Sequence, residues 1–230
     1  MLSKDKPVIA IGDQEPFASG GNRLCFRHPM IPEHCLKIIR PERTPAIRRA
    51  EKRFPASLRP LATYDENLVE VAALNYLHNR YPIQITRHLP RSFGIVETDL
   101  GTAHETDLIH DESGLVSQTL EQYIWANEMN PTVTRAIRAF KNDWAVKPPL
   151  TRDLIPHNFV VQLKEENAHL VLIDGFGKKP SSLLSLTNQL AKLRLKHRLK
   201  DFDHRVQLIL KRKVAGNEPS YRIENLKRHT

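Results

Sequence analysis

The chain has 230 residues and a formal net charge of +9, with 35 lysines and arginines against 26 acidic residues. Its hydrophobic fraction of 40% is that of an ordinary globular protein, and no apolar run is long enough to cross a membrane. Two cysteines, Cys25 and Cys35, are too few for a disulfide scaffold, and the first residues do not resemble a signal peptide. We therefore expect a cytoplasmic protein whose positive field favours a polyanionic partner: a nucleotide, a phosphorylated lipid, RNA or an anionic membrane surface.

The beginning of the chain is predicted to consist of extended segments. Three apolar runs are separated by turns: PVIAI (7–11), RLCF (23–26) and HCLKII (34–39). Pro29 and Pro32 lie between the last two runs, which is typical of a β-hairpin. Residues 41–64 are rich in arginine and proline and predict a loop with at most a short helix.

A helix is predicted next, because apolar residues recur at helical spacing from Leu68 to Leu77. Asp65 or Asn67 can cap its beginning, and Pro82 stops it. Two more extended runs follow, around 93–97 and 103–109.

The second half of the chain is predicted to be mainly helical. Asn130 is a capping residue followed by Pro131, a good first residue for a helix. The expected elements are two helices, a strand hairpin and a basic helical tail: 117–126, 132–146, 158–163 with 169–173, and 192–213.

Strands before residue 110 and helices after it predict an α+β protein with two lobes. We expect residues 1–110 to form an antiparallel sheet with one helix. Residues 111–230 should form a mainly helical lobe that ends in basic helices.

Two segments of the second half carry oxygen ligands in a suggestive order. In LTRDLIPHNFVV (150–161), Asp153 stands five positions before Asn158, and Asp174 ends the apolar run of HLVLIDGFG (169–177). Phosphoryl transfer needs a carboxylate beside the attacking group and oxygen ligands for Mg²⁺, which these residues can supply. Each segment alone is equally compatible with a turn whose polar side chains bond their own backbone.

Two segments of the first half are suited to binding phosphate. Lys37 lies in CLKII, where an inward-facing lysine is costly unless it is paired or bound to an anion. Glu70, on the predicted helix, is a possible counter-charge, although an edge-strand lysine that reaches water is the alternative. Gly20 and Gly21 form a turn one strand earlier, where the backbone can approach a phosphate closely.

The order of these segments resembles the protein-kinase signature set: glycine-rich turn, strand lysine, helix glutamate, Asp-x4-Asn loop, hairpin and Asp-Gly. The stretches GGNRLCFRHP, CLKII and FGIVETDLGTAHETDLI further resemble the PhoP regulatory network protein YrbL family, small bacterial proteins with a kinase-like fold. The resemblance covers about residues 15–180 and does not define a phosphoryl acceptor.

The kinase resemblance implies ATP and Mg²⁺ as ligands. It assigns the acceptor-orienting base to Asp153, the metal ligands to Asn158 and Asp174, and the phosphate-binding ion pair to Lys37 and Glu70. It also implies a set of residues around the adenine and the phosphates: Gly20, Gly21, Cys25, Cys35, Asp107, Leu108 and Ile109. For the two cysteines, a pair of buried facing residues on a hairpin is an equally good interpretation.

The sequence departs from the kinase pattern in several places. Ala18 and Arg23 replace two glycines of the phosphate turn, and Arg23 can offer its charge in compensation. Thr151 stands in place of the usual histidine, and Ile155 replaces the lysine that often follows the catalytic aspartate. No segment after Gly177 resembles Ala-Pro-Glu, which argues against a peptide substrate.

Three hypotheses follow. The first is a kinase-like ATP-dependent phosphotransferase acting on an unidentified, non-peptide acceptor, and the second is a nucleotide-binding pseudokinase with a regulatory role. The third makes the basic tail a binding site for RNA or an anionic membrane, although the charges of this tail are equally explained as a solvated helix face.

Overall fold

The computed structural model describes residues 7–146, 154–176 and 188–219. The chain divides into two compact units. The first comprises Met1–Ala72 and Arg91–Leu108, and the second Ala73–Pro90 and Ile109–Thr230. The first unit ends at Leu108, two residues before the boundary predicted after residue 110. The grouping of Ala73–Pro90 with the second unit has no signal in the sequence pattern.

The first unit contains a five-stranded antiparallel sheet. In sheet order its strands run β1-β2-β3-β5-β4. Their bounds are β1 (Ala18–Ser19), β2 (Arg23–Arg27), β3 (His34–Ile39), β4 (Ser92–Thr98) and β5 (Gly101–Asp107). The hairpin predicted around Pro29 and Pro32 is the β2–β3 pair, and the two later extended runs are β4 and β5.

The strand predicted at residues 7–11 is wrong. Only Ile9 forms a bridge, to Thr98, and the pairing does not extend into a ladder. The reason is that the Asp99 carboxylate accepts the amides of Ile11 and Gly12, each at 2.9 Å. These N–H groups are therefore satisfied by a side chain and not by a neighbouring strand.

Strand alternation gives the sheet two different faces. One face carries the apolar core of this unit: Ile11, Phe26, Leu36, Ile38 and Ala103. The intervening residues of β3, Cys35 and Lys37, point to the other face. Lys37 lies opposite Cys25 on one side and His104 on the other, so this second face is polar.

Three α-helices lie between β3 and β4 along the chain, and the third is very short: α1 (Pro45–Ala50), α2 (Glu66–Arg80) and α3 (Ile83–Thr86). The short helix expected within 41–64 is α1. Asp65 caps α2, because its Oδ1 accepts the Leu68 amide at 3.0 Å. The helix ends before Pro82, as predicted.

The face that α2 buries differs from the predicted apolar stripe. Leu68 and Ala72 are exposed, whereas Asn67 and Glu70 are buried. The physical reason is that the N-terminal half of α2 satisfies polar groups of β3. Asn67 Nδ2 donates to the Lys37 carbonyl at 2.9 Å.

The second unit combines a small antiparallel sheet with helices. The strands are β6 (Gln118–Thr119), β7 (Phe159–Lys164) and β8 (Asn167–Leu172), and the helices are α4 (Leu120–Ala126), α5 (Pro131–Val146) and α6 (Asn188–Val214). Rings at 4.5–5.3 Å link the helices and the sheet through the core: Trp144, Phe140, Phe159 and Phe202. The predicted α+β class, with a sheet-rich first part and a mainly helical second part, is confirmed.

Helix boundaries in the second unit follow capping chemistry. Asn130 caps α5 by accepting the Val133 amide at 2.8 Å, as predicted. The helix predicted from residue 117 begins only at Leu120, because Thr119 and Gln122 form a capping box. The basic tail is one helix, α6, over Asn188–Val214, and none of the described helices is long and apolar enough to span a membrane.

Candidate functional site

A buried ion pair occupies the polar face of the first sheet. Lys37 Nζ lies 2.5 Å from Glu70 Oε1, and the two residues are only 7% and 5% exposed. The pair joins β3 to α2, as the order of segments in the sequence predicts. Because both charges are shielded from water, removal of either one would leave the other poorly compensated.

Arg23 shares the same carboxylate. Its Nη2 lies 2.6 Å from Glu70 Oε2, and its side chain is buried. Arg23 is thus engaged by Glu70, and its contribution of charge to a phosphate stays a prediction. The β2–β3 register places Arg23 on the same sheet face as Cys25 and Lys37, so its guanidinium reaches Glu70.

A second carboxylate extends the cluster. Arg48 pairs with Glu66 at 2.9 Å, and Glu66 also lies 3.9 Å from Arg23. Ion pairs therefore connect three cations to two carboxylates among the described residues: Arg23, Lys37 and Arg48 with Glu66 and Glu70. The carboxylates thus hold the ammonium and guanidinium groups in fixed positions.

The pKa shifts of Glu70 and His104 agree with these ion pairs. Burial alone raises the pKa of Glu70, but the charges of Arg23 and Lys37 hold it well below its usual value. Burial lowers the pKa of His104, whose Nδ1 lies 3.4 Å from Glu70 Oε1. His104 is thus neutral near pH 7 and adds no charge, while its Nε2 lies 2.8 Å from Ser92 Oγ.

The glycine turn between β1 and β2 is held by arginine and backbone contacts. Gly20 N–H donates to the Arg23 carbonyl at 2.9 Å, and Arg40 Nε donates to the Gly20 carbonyl at 2.9 Å. A Cβ added at Gly21 meets no atom of the described residues within 4 Å. As far as the described residues show, the space beside Gly21 is open, which fits the close approach of a phosphate.

The two cysteines lie on the same sheet face as Lys37. They are diagonal neighbours and not directly facing, because Cys25 opposes Lys37 and Cys35 opposes Arg27. A hydrogen bond from Cys35 lowers the pKa of Cys25 to about 7, and the same bond raises the pKa of Cys35. Their proposed position over an adenine ring stays a prediction.

The predicted adenine hinge is a stretch of engaged backbone. The Leu108 amide donates to the Glu33 carbonyl at 2.7 Å, and the Ile109 carbonyl accepts from Ser117 at 2.9 Å. The Asp107 carboxylate binds Arg91, with Nη2 and Oδ1 2.8 Å apart. The Leu108 amide is thus not available to an adenine while its internal bond persists.

In the second unit, Asn158 and Asp174 come to the same end of the β7–β8 hairpin. Phe159 pairs with Leu172, and the Ile173 amide donates to the Asn158 carbonyl at 2.8 Å. Asn158 is buried, whereas the Asp174 side chain is exposed and accepts the Gly175 amide at 2.6 Å. Amide and carboxylate oxygens are ligands that Mg²⁺ accepts, so these residues fit the predicted metal.

Asp153, the predicted base, lies outside the described residues, as does Thr151. Three polar contacts of the cluster were not predicted from the sequence: those of Asn67 with the Lys37 carbonyl, of His104 with Glu70 and of Arg23 with Glu70. Asn67 and Glu70 are three residues apart on one helix face, which is the one signal that could have indicated a polar buried stripe.

Comparisons with known proteins give consistent results. The profile of one family, described as PhoP regulatory network protein YrbL, matches residues 9–209. The proteins named "Uncharacterized protein YrbL" of Escherichia coli K12 and Shigella flexneri are each 24% identical over 84% of both chains. Among solved structures, two double-mutant forms of the Mycobacterium tuberculosis PknI kinase domain are 16% identical, with TM-scores of 0.41 and 0.42. They match 90% and 89% of this chain and 73% and 74% of theirs.

Proposed function

The chain belongs to the PhoP regulatory network protein YrbL family, and we propose that it is a kinase-like phosphotransferase that uses ATP and Mg²⁺. The observation that carries the proposal is the buried Lys37–Glu70 pair at 2.5 Å, which joins a strand lysine to a helix glutamate. In protein kinases, a strand lysine paired with a helix glutamate is a requirement for phosphoryl transfer.

Each residue has a role that its chemistry supports. Glu70 fixes the ammonium group of Lys37, which would orient the α and β phosphates of ATP. Asn158 and Asp174 would hold the metal ion, and Asp153 would orient or deprotonate the acceptor hydroxyl. Mg²⁺, when bound, would neutralise charge on the transferring phosphates. Rate enhancement then comes from positioning and from charge stabilisation.

The acceptor in this proposal is not a peptide. The sequence after Gly177 has no segment resembling the Ala-Pro-Glu end of a protein-kinase activation segment. Protein kinases seat their peptide substrates on that segment. A small molecule or a lipid is therefore the acceptor class that we propose.

A pseudokinase is the second candidate, and Arg23 is the observation that favours it. Its guanidinium holds Glu70 Oε2 at 2.6 Å, so the carboxylate that orients Lys37 is shared with a second cation. Thr151 and Ile155 add two departures from the catalytic loop. A protein of this kind binds nucleotide and signals through its conformation without turnover.

The test is ATP turnover by the purified chain with Mg²⁺, beside its Asp153→Asn variant and an Asp201→Asn control on the exposed side of α6. A phosphotransferase loses about 100-fold or more of its activity in Asp153→Asn only. If ATP with Mg²⁺ raises the melting temperature while no protein turns it over, the pseudokinase candidate is correct. Absence of any nucleotide effect on melting rejects both candidates.

A further inference from the structure

The segment between β3 and α2 displays two large apolar side chains to water. Phe54 is 79% exposed and Leu58 is 74% exposed, four residues apart. Ile47 and Leu61 of the same segment are exposed as well. Several large apolar side chains exposed within one short segment are a candidate for a surface that another phase or molecule covers.

The same segment is strongly basic. From Lys52 to Tyr64 the sequence contains three cations and no acidic residue: Lys52, Arg53 and Arg59. In the part of the chain that the structure describes, no carboxylate pairs with them. The nearest acid along the chain, Glu51, is engaged by Arg43 at 3.0 Å. We call Lys52, Arg53, Phe54, Leu58 and Arg59 together the Phe54 patch.

The backbone beneath the Phe54 patch is held by its own hydrogen bonds. The Tyr64 hydroxyl donates to the Ala56 carbonyl, and Arg48 Nη1 donates to the Tyr64 carbonyl at 3.0 Å. The Ser57 and Leu58 amides donate to earlier carbonyls of the same loop at 3.3 and 3.2 Å. Exposure of Phe54 and Leu58 is thus a property of an ordered loop, and docking requires little further ordering.

We propose that the Phe54 patch docks on the surface of an anionic lipid bilayer. Phe54 and Leu58 enter the boundary between headgroups and acyl chains, while the three cations pair with lipid phosphates. A bilayer presents anionic groups directly above an apolar layer, which matches both components of the patch. RNA matches the cations and can stack on Phe54, but it offers Leu58 nothing in which to be buried.

Binding to vesicles of stated composition tests the proposal. We expect the full chain to cosediment with vesicles of equal parts phosphatidylcholine and phosphatidylglycerol, and not with phosphatidylcholine alone. Replacing each cation of the patch by Gln should weaken binding about 5-fold. The double change Phe54→Ser with Leu58→Ser should weaken it about 10-fold or more.

Two controls make the experiment decisive. Met30→Ser removes an 85% exposed side chain elsewhere in the first unit and should leave binding unchanged. Changing Lys192, Lys196 and Lys200 of α6 to Gln tests the other basic surface. If these α6 changes abolish vesicle binding while the patch changes do not, or if binding needs no anionic lipid, the proposal is wrong.

A spectroscopic variant reports insertion directly. Phe54→Trp should show a blue-shifted emission on anionic vesicles and quenching by brominated lipids, beyond the signal of the parent chain. Unchanged far-ultraviolet circular dichroism of all variants confirms that they are folded. Lack of vesicle binding, or binding of single-stranded RNA that depends on the patch while vesicles are ignored, overturns the proposal.

Discussion

The two clusters that carry the candidate phosphate chemistry are built in opposite ways. In the first unit, Lys37 and Glu70 are buried and joined at 2.5 Å, and Arg23 holds the second carboxylate oxygen. In the second unit, Asp174 stands exposed at the end of a hairpin, beside the buried Asn158. Buried charges depend strongly on their ion-pair partners, whereas the charge of an exposed carboxylate is hydrated and contributes little to stability. The first cluster should therefore affect stability and the second only binding.

The largest expected effect is that of Glu70→Gln. The change leaves two buried cations without their shared carboxylate, so we expect the free energy of unfolding to fall by about 3–5 kcal/mol. Glu66→Gln is the matched control, because its side chain is partly exposed and its loss should cost about 0–1 kcal/mol. Urea denaturation measures both. Equal losses of unfolding free energy in the two variants would contradict a special dependence of the buried cations on Glu70.

Asp174→Asn should have the opposite profile. Because its side chain is exposed, we expect the free energy of unfolding to change by less than about 0.5 kcal/mol. Nucleotide affinity in the presence of Mg²⁺ should fall about 10-fold, since a carboxylate ligand of the metal is lost. Calorimetric titration with and without Mg²⁺ measures the difference. An affinity that is independent of both Mg²⁺ and Asp174 would remove the residue from the proposed site.

Gly21→Ala probes whether the open space in the first unit is used. In the part of the chain that the structure describes, the added Cβ meets no atom within 4 Å, and the backbone is not in the left-handed region. Stability should therefore stay within about 0.5 kcal/mol. If a phosphate lies against this turn, the methyl group obstructs it and the ATP-induced rise in melting temperature shrinks. Unaltered ATP stabilisation in a folded Gly21→Ala protein would place the phosphates elsewhere.

The smallest effect should come from pH. Burial lowers the pKa of His104 in the folded protein. Below about pH 6.5 the imidazole is therefore protonated in the unfolded chain but still neutral in the folded one. The contribution of His104 to the free energy of unfolding is fully present above that pH and is lost as pH falls through the lower pKa of the folded state. His104→Gln should flatten the dependence of unfolding free energy on pH between neutral and mildly acidic conditions. The depressed pKa of Glu70 acts in a separate, more acidic window.

Short-range patterns accounted for most element positions. Alternation and turn residues located the β2–β3 and β7–β8 hairpins, and Asn130 with Pro131 located the start of α5. They failed where a side chain took over a backbone partner. Asp99 captured the amides of Ile11 and Gly12, and Thr119 delayed the start of α4. These side-chain hydrogen bonds depend on residues that are distant along the chain or on the geometry of a helix cap. The periodicity of apolar residues therefore does not predict them.

The sequence alone predicted which elements carry the candidate site residues. These are a lysine on β3, a glutamate on the long helix α2 and an aspartate after the β7–β8 hairpin. Only the tertiary structure decided how the charges are shared. The sequence indicated that Arg23 can offer charge near the glycine turn, and the register of β2 against β3 shows that it also pairs with Glu70. Spacing along the sequence specifies which residues each helix or strand carries. Which side chains then contact one another depends on strand register and helix packing, and these are set by the burial of the whole core.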